Sequence, residues 1–274
     1  MIGKQDILDR AAEWRLRADV VEKDFVLGWL LAAIAAHPEA STHWVFKGGT
    51  CLKKCYFETY RFSEDLDFSL LPDALYTDEA LRRILTQTAR SASELSGIEF
   101  PPEYVVVHRH QDKQGRLTFE GRIAYRGPLV VPSWPRVTFD ITQHERVMDV
   151  VSRRSIHHPY PDTLPDAILP GCYSLQELFA EKTRALFERT RPRDLYDVVY
   201  ILENQVEAVD LDAVRRLFVD KCRVKAFEPP DLSALTARIR GSEELRSEWE
   251  NMLAHQLPEL RPLNPLLERL EELL

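Results

Sequence analysis

In residues 65–70, Asp-Leu-Asp-Phe-Ser-Leu, polar and apolar side chains alternate without a break. A strand sends such residues to opposite faces, so Leu66, Phe68 and Leu70 point one way and Asp65, Asp67 and Ser69 the other. Residues 136–142 repeat the pattern, with Val137, Phe139 and Ile141 on the apolar face and Thr138, Asp140 and Thr142 on the polar one. Residues 104–110 and 117–125 read as two more strands, and the apolar run Trp44-Val45-Phe46 as a short buried one.

Helical spacing marks residues 6–17, 20–36 and 78–95, with Leu27, Leu30, Leu31 and Ile34 forming a stripe on the second. Between His157 and Gly171 lie Pro159, Pro161, Pro165 and Pro170, which exclude a helix or a central strand. A domain boundary is placed there, giving an N-terminal domain of residues 1–170 and a helical domain of residues 171–274. After Ser174, which can cap a helix in a box with Glu177, the pattern is helical, with breaks near Pro229-Pro230, at Gly241 and from Pro262 to Pro265. The last segment carries Leu266, Leu267, Leu270, Leu273 and Leu274 in helical register, to pack on the core or to meet a partner. The fold class is α/β in the α+β sense: a mixed sheet flanked by helices, followed by a helical domain.

Chemistry concentrates where the pattern changes. After the strand at 44–46 comes Lys47-Gly48-Gly49-Thr50, a glycine turn where backbone can approach a ligand, and residues 50–54 begin a helix. A triphosphate could rest on that helix start, held by backbone N–H groups and the Thr50 hydroxyl. An ordinary tight turn is the other reading. On the strand that follows, Asp65 and Asp67 lie roughly 7 Å apart, and at an effective dielectric of about 20 their repulsion is about 2 kcal/mol. Mg²⁺ would relieve it, since it takes one or two protein carboxylates and keeps its other positions for water and phosphate oxygens. The solvated face of a half-exposed strand accounts for the same alternation. Asp140 could add a third carboxylate from a neighbouring strand, or be a surface residue on an edge strand.

Along residues 174–189 the helical stripe is Leu175, Leu178, Phe179, Lys182, Ala185, Leu186 and Arg189, which puts Lys182 on the face to be buried. A buried ammonium needs a partner, and Asp194 and Asp197 on the next helix are the nearest, although a lysine can also snorkel along a helix edge. A local Arg193–Asp194 salt bridge is a further structural reading.

These segments together, Lys47-Gly-Gly-Thr50, Arg61-Phe-Ser-Glu-Asp-Leu-Asp67, the upstream Glu22-Lys23-Asp24-Phe25, and the downstream residues 181–189 and 191–197, resemble the AbiEii/AbiGii toxin family of nucleotidyltransferases. That family lies within the DNA polymerase beta-like superfamily. The resemblance implies a polymerase beta-like nucleotidyltransferase domain in which Asp65, Asp67 and Asp140 bind metal and serve catalysis. It implies nucleotide contacts from Lys47, Gly48, Gly49, Thr50, Arg61, Ser63, Lys182 and Arg189, and a place for Lys182 and Asp194 at the catalytic centre, contributed by the C-terminal domain. It further implies Mg²⁺ or Mn²⁺, an NTP as donor, an RNA acceptor such as the tRNA 3′ end, release of pyrophosphate, and a cognate antitoxin. Transfer to a small molecule or a protein, and an inactive nucleotide- or RNA-binding scaffold, are the competing readings.

Composition bounds the rest. The chain has 274 residues and a net charge of -8, which argues against a surface coated in non-specific nucleic-acid contacts. Cationic clusters at Lys53-Lys54, Arg82-Arg83, Arg153-Arg154, Lys182 to Arg193 and Arg215 to Lys225 could hold RNA phosphates or be solvated helix faces. No apolar run of about eighteen residues exists, so no membrane span is expected, and with no signal-peptide pattern at its start the protein is expected to be cytoplasmic. Cys51 and Cys55 stand one helical turn apart, and Cys172 and Cys222 are isolated. With no Cys-x-x-Cys spacing, neither a zinc site nor a disulfide framework is expected. His108, His110, His157 and His158 read as strand and loop histidines.

Overall fold

A computed structural model describes residues 2–58, 60–112, 114–166, 168–205, 209–226, 228–229 and 232–273. The chain divides into two compact units, Met1–Tyr173 and Ser174–Leu274.

The first unit begins with α1 (Lys4–Trp14) and α2 (Ala18–Ala36). The pattern predicted one helix over 6–17, but Asp6 turns back to accept the Gly3 N–H at 2.7 Å, which starts α1 earlier. Arg15 then takes a left-handed conformation, φ 54°, and ends it. Helix α2 is buried nearly all round, from Val20 to Ile34, as befits the central helix of a core.

A turn of helix, α3 (Ala40–His43), leads into β1 (Trp44–Lys47), then α4 (Gly48–Cys51), a π-helical turn (Leu52–Tyr56) and β2 (Asp65–Leu70). After α5 (Asp78–Ser96) follow β3 (Val106–Gln111), β4 (Leu117–Ala124), β5 (Arg136–Thr142), β6 (Ser152–Arg153) and β7 (Gly171–Cys172). Strand β3 starts later than predicted because Pro102–Tyr104 form a 3₁₀ turn set by the Pro101-Pro102 pair. From 157 to 169 the described residues hold no helix or strand, as the four prolines require.

The seven strands form one mixed sheet in the order β3-β4-β5-β2-β1-β7-β6. β2 runs antiparallel to β1 and parallel to β5. Register aligns Phe46, Phe68, Ile141 and Phe119 in one row across four strands, all of them buried. At about 1.5–3 kcal/mol for each fully buried side chain, this face is the main source of the sheet's stability. Helix α5 packs on it through Leu85, whose methyl would lie 2.4 Å from a β-carbon on Gly121. Glycine in β4 thus admits the helix to the sheet.

The second unit is α6 (Leu175–Arg189), α7 (Pro192–Gln205), α8 (Leu211–Val224), α9 (Leu232–Gly241), α10 (Glu243–Leu253) and α11 (Leu263–Leu273). The Ser174 hydroxyl accepts the Glu177 N–H at 3.1 Å and caps α6. The Glu177 carboxylate, buried, receives the Lys221 ammonium of α8 at 2.6 Å, with Glu181 at 3.3 Å. Gly241 ends α9 and Ser242 caps α10, as the break predicted. Pro230, part of the break expected near Pro229-Pro230, lies outside the described residues. Leu266, Leu267 and Leu270 of α11 are buried and the helix packs on α7, so its stripe belongs to the core of this unit; Leu274 lies outside the described residues. No helix among the described residues is long and apolar enough to cross a membrane.

Candidate active site

In β2 the alternation resolves as the pattern requires: Leu66, Phe68 and Leu70 are buried, and Asp65 and Asp67 are half-buried on the opposite face. Register then assembles a polar row. Lys47 of β1 lies opposite Asp67, Asp67 opposite Asp140 of β5, and Asp140 opposite Glu120 of β4. Directly paired residues share a face, so the four side chains project from the same side of the sheet at the inter-strand spacing of about 4.8 Å. Strand β5 is an interior strand beside β2, which rules out the edge-strand reading of Asp140.

The glycine turn closes against this row. Gly48 has φ +79°, and a β-carbon there would lie 2.0 Å from an oxygen of the Asp67 carboxylate. A β-carbon on Gly49 would meet Arg61 Nη2 at 2.8 Å and Ser63 Oγ at 3.0 Å. Two glycines therefore admit an acidic, a cationic and a hydroxyl group to the same few ångströms of backbone. Arg61 is almost wholly buried, donates to the Phe62 carbonyl and lies over the Tyr60 ring.

Two of the residues assigned to the nucleotide occupy other positions. Thr50 is fully buried and its hydroxyl donates to the Asp65 carbonyl at 2.5 Å, so it ties α4 to β2 instead of facing outward as a phosphate ligand. Lys47 forms an ion pair with Glu145 and lies 5.9 Å from the centre of the Tyr173 ring. Glu145 was not picked out in the sequence, where it follows β5 with no periodic signal. Glu120 was also missed, because only the register of β4 on β5 brings it beside Asp140.

Asp140 reaches solvent, yet the surrounding protein strips water from its carboxyl group. That desolvation, with the charges of Asp65 and Glu120 added, raises its pKa above the ordinary carboxylate value, against a smaller opposing pull from Lys47. Hard oxygen donors on one face of the sheet beside a glycine turn suit Mg²⁺, for which the chemistry of Asp65, Asp67 and Asp140 fits.

The Glu22-Lys23-Asp24 segment supports this region from α2. Asp24 and Lys54 form a buried ion pair at 2.6 Å, the Tyr160 hydroxyl donates to Asp24 at 2.8 Å, and Lys23 reaches Glu64 at 3.2 Å. Asp24 is held below the usual carboxylate range because Lys54 and Lys53 outweigh its desolvation. Lys53 and Lys54 are buried, and burial pushes the Lys53 ammonium down to about 8. That pair is structural and does not offer itself to RNA phosphates.

In the second unit, Lys182 pairs with Asp197 at 2.8 Å and with Asp194 at 3.7 Å. Arg189 meets Asp194 through two nitrogens, Nε at 2.7 Å and Nη2 at 3.0 Å. Both carboxylates are fully buried while Arg189 remains exposed. The partners inferred for Lys182 are the ones it has, and the snorkelling reading falls.

The sequence profile of the family described as "Nucleotidyl transferase AbiEii toxin, Type IV TA system" matches residues 29–274. The chain belongs to that family of nucleotidyltransferase toxins, and the match runs through both compact units. Its fold is similar to that of MenT4, a nucleotidyltransferase toxin from Mycobacterium tuberculosis H37Rv, with a TM-score of 0.60, 21% identity, and coverage of 100% of this chain and 88% of that one. No curated protein matches the sequence.

Proposed function

We propose that this toxin transfers a nucleoside monophosphate from an NTP to an RNA acceptor, the tRNA 3′ end, with Mg²⁺ and release of pyrophosphate. The observation that carries the reading is the polar row of Lys47, Asp67 and Asp140 set against Gly48. Asp65 and Asp67 would hold Mg²⁺, with Asp140 beside them. When bound, the metal supplies Lewis-acid polarisation of phosphoryl oxygens and a lower pKa for a coordinated hydroxyl.

The chain's own groups do the remainder. Backbone N–H groups of the Gly48-Gly49 turn and the Arg61 guanidinium receive the triphosphate, with Ser63 as a neutral donor. Asp140, beside Asp67 in register, would accept the proton of the acceptor hydroxyl. Lys182 neutralises phosphate charge and Asp194 orients Lys182 and Arg189. The type IV toxin–antitoxin family implies a cognate antitoxin.

The test is an in vitro transfer assay with each of the four labelled triphosphates, Mg²⁺ and purified tRNA, read by gel shift and radiolabel. Labelled tRNA that disappears with Asp67→Asn supports the reading. Label on polypeptide or on a small molecule moves the acceptor to another class, and no label with any acceptor overturns transfer.

A further inference from the structure

Cys51 closes α4 and Cys55 sits four residues on, in the π-helical turn that follows. Cys172, far downstream, is the last residue of β7, where it pairs in register with Phe46 of β1. The spacing of the sequence left Cys172 isolated, but the sheet returns it to the other two. The three sulfur atoms lie within 4.8 Å of one another, all buried, and none is in a disulfide.

Three thiols turned toward one point is more than packing requires. Free cysteine packs well as a small hydrophobe, but three sulfurs from two separated segments also make a set of soft donors with metal-ligand spacing. A cationic group stands beside the trio. Arg154 donates to the Cys55 carbonyl at 3.1 Å and lies over the Tyr56 ring, which holds a guanidinium at the edge of the group. The Cys172 thiol is pushed below its ordinary range, first because Cys51 and Cys55 donate to it and then by Arg154 and Arg153; Cys51 is pushed up mainly by burial and Cys55 mainly by its bond to Cys172. A π-helical turn, uncommon in itself and frequent at functional sites, is what carries Cys55.

We propose that Cys51, Cys55 and Cys172 bind a soft thiophilic metal ion through three sulfurs, with monovalent copper the best match. Structural zinc asks for four ligands, whereas soft thiolates also select Cu(I), which accepts fewer. Binding sends the protons of the remaining S–H groups to solvent, so affinity rises with pH. The clip would join β7 to the helix that follows the glycine turn. Cys51 is two residues past Gly49, and the residue after Cys172 is Tyr173, whose ring lies under Lys47 and whose hydroxyl bonds Ser69 at 2.6 Å. The metal would thereby stiffen the backbone that carries the proposed nucleotide cradle, while making no use of the aspartates.

The full-length protein, reduced and metal-free, is titrated anaerobically with Cu(I) against a chromogenic Cu(I) chelator, with Zn(II) and Cd(II) in parallel. One Cu(I) per chain is expected, with affinity at least about tenfold lower in Cys51→Ser, Cys55→Ser and Cys172→Ser, as loss of a first ligand should exceed that of an outer-shell partner. Cys222→Ser and Asp67→Asn should bind as the parent does, which separates this site from the proposed Mg²⁺ site. X-ray absorption of the loaded parent should show three sulfur neighbours and needs no variant to fold. Failure of the parent to bind any of the three metals, a nitrogen- or oxygen-dominated shell, or undiminished binding in Cys172→Ser overturns the proposal. So would a peroxide-formed disulfide within the trio in a protein that takes up no metal.

Discussion

A β-carbon on Gly48 would lie 2.0 Å from an oxygen of the Asp67 carboxylate. The two residues belong to different motifs, the glycine turn and the Asp-x-Asp strand, and the antiparallel pairing of β1 with β2 folds one onto the other. The absence of a side chain at one motif is therefore the space in which the other works.

Gly48→Ala should disable the protein for two separate reasons. Its φ of +79° costs an L-residue about 1–2 kcal/mol, and the methyl would displace the Asp67 carboxylate. Loss of transfer with a lowered melting temperature is expected. Gly49→Ala should be milder, because its β-carbon first meets the end of the Arg61 side chain, which can shift. Equal losses in the two variants would contradict this ordering.

Asp65→Asn and Asp67→Asn should abolish labelling of the acceptor and growth inhibition. Both variants should remain folded, which thermal melts would check. Unimpaired toxicity of a folded Asp67→Asn protein would sink the proposed role.

Asp140→Asn should lower transfer by about 10²–10⁴-fold if the carboxylate is the general base. The folded pKa of Asp140 lies above its unfolded value, so within that window the folded state binds more protons and stability falls as pH rises. Asn does not titrate. The variant should thus melt higher than the parent above the window and alike below the ordinary carboxylate range, which thermal melts over a pH series would reveal.

Asp24→Ala should destabilise the first unit by about 3–5 kcal/mol, because it leaves the Lys54 ammonium buried without its carboxylate. Asp24→Leu combined with Lys54→Met should recover much of that loss in urea melts. The folded pKa of Asp24 is depressed, so the pair's contribution is present above the unfolded carboxylate value and is lost as pH falls through the folded one.

Lys182→Ala faces a similar cost, since Asp194 and Asp197 are fully buried against it. A drop of about 3–5 kcal/mol is expected, so lost activity in that variant would not by itself assign a catalytic role. Lys182→Arg keeps the charge and is the better probe: it should fold, with transfer reduced through an altered KM for the triphosphate.

Much of this architecture could be read from periodicity. Strands β2 and β5 were bounded to the residue, because strict alternation has one solution when one face is buried. Lys182 and its partners were legible because a cation on an apolar stripe demands a counter-charge. Helix ends were less so: α1 was displaced at both ends by Asp6 folding back on Gly3 and by Arg15 going left-handed, local choices that a 3.6-residue period does not encode.

The site divides along the same line. Local pattern supplied the groups: two carboxylates on one face of a strand, glycines that leave room, a lysine that must be paired, and a family to which these residues correspond. Which of them meet was set by long-range pairing. Lys47, Asp67, Asp140 and Glu120 form a row because sheet register aligns them, Thr50 became a brace because Asp65 offered a carbonyl, and Cys172 joined Cys51 and Cys55 because β7 pairs with β1. Local periodicity fixes the face a side chain takes, whereas its neighbour across a sheet depends on pairing between distant segments, which local spacing does not specify.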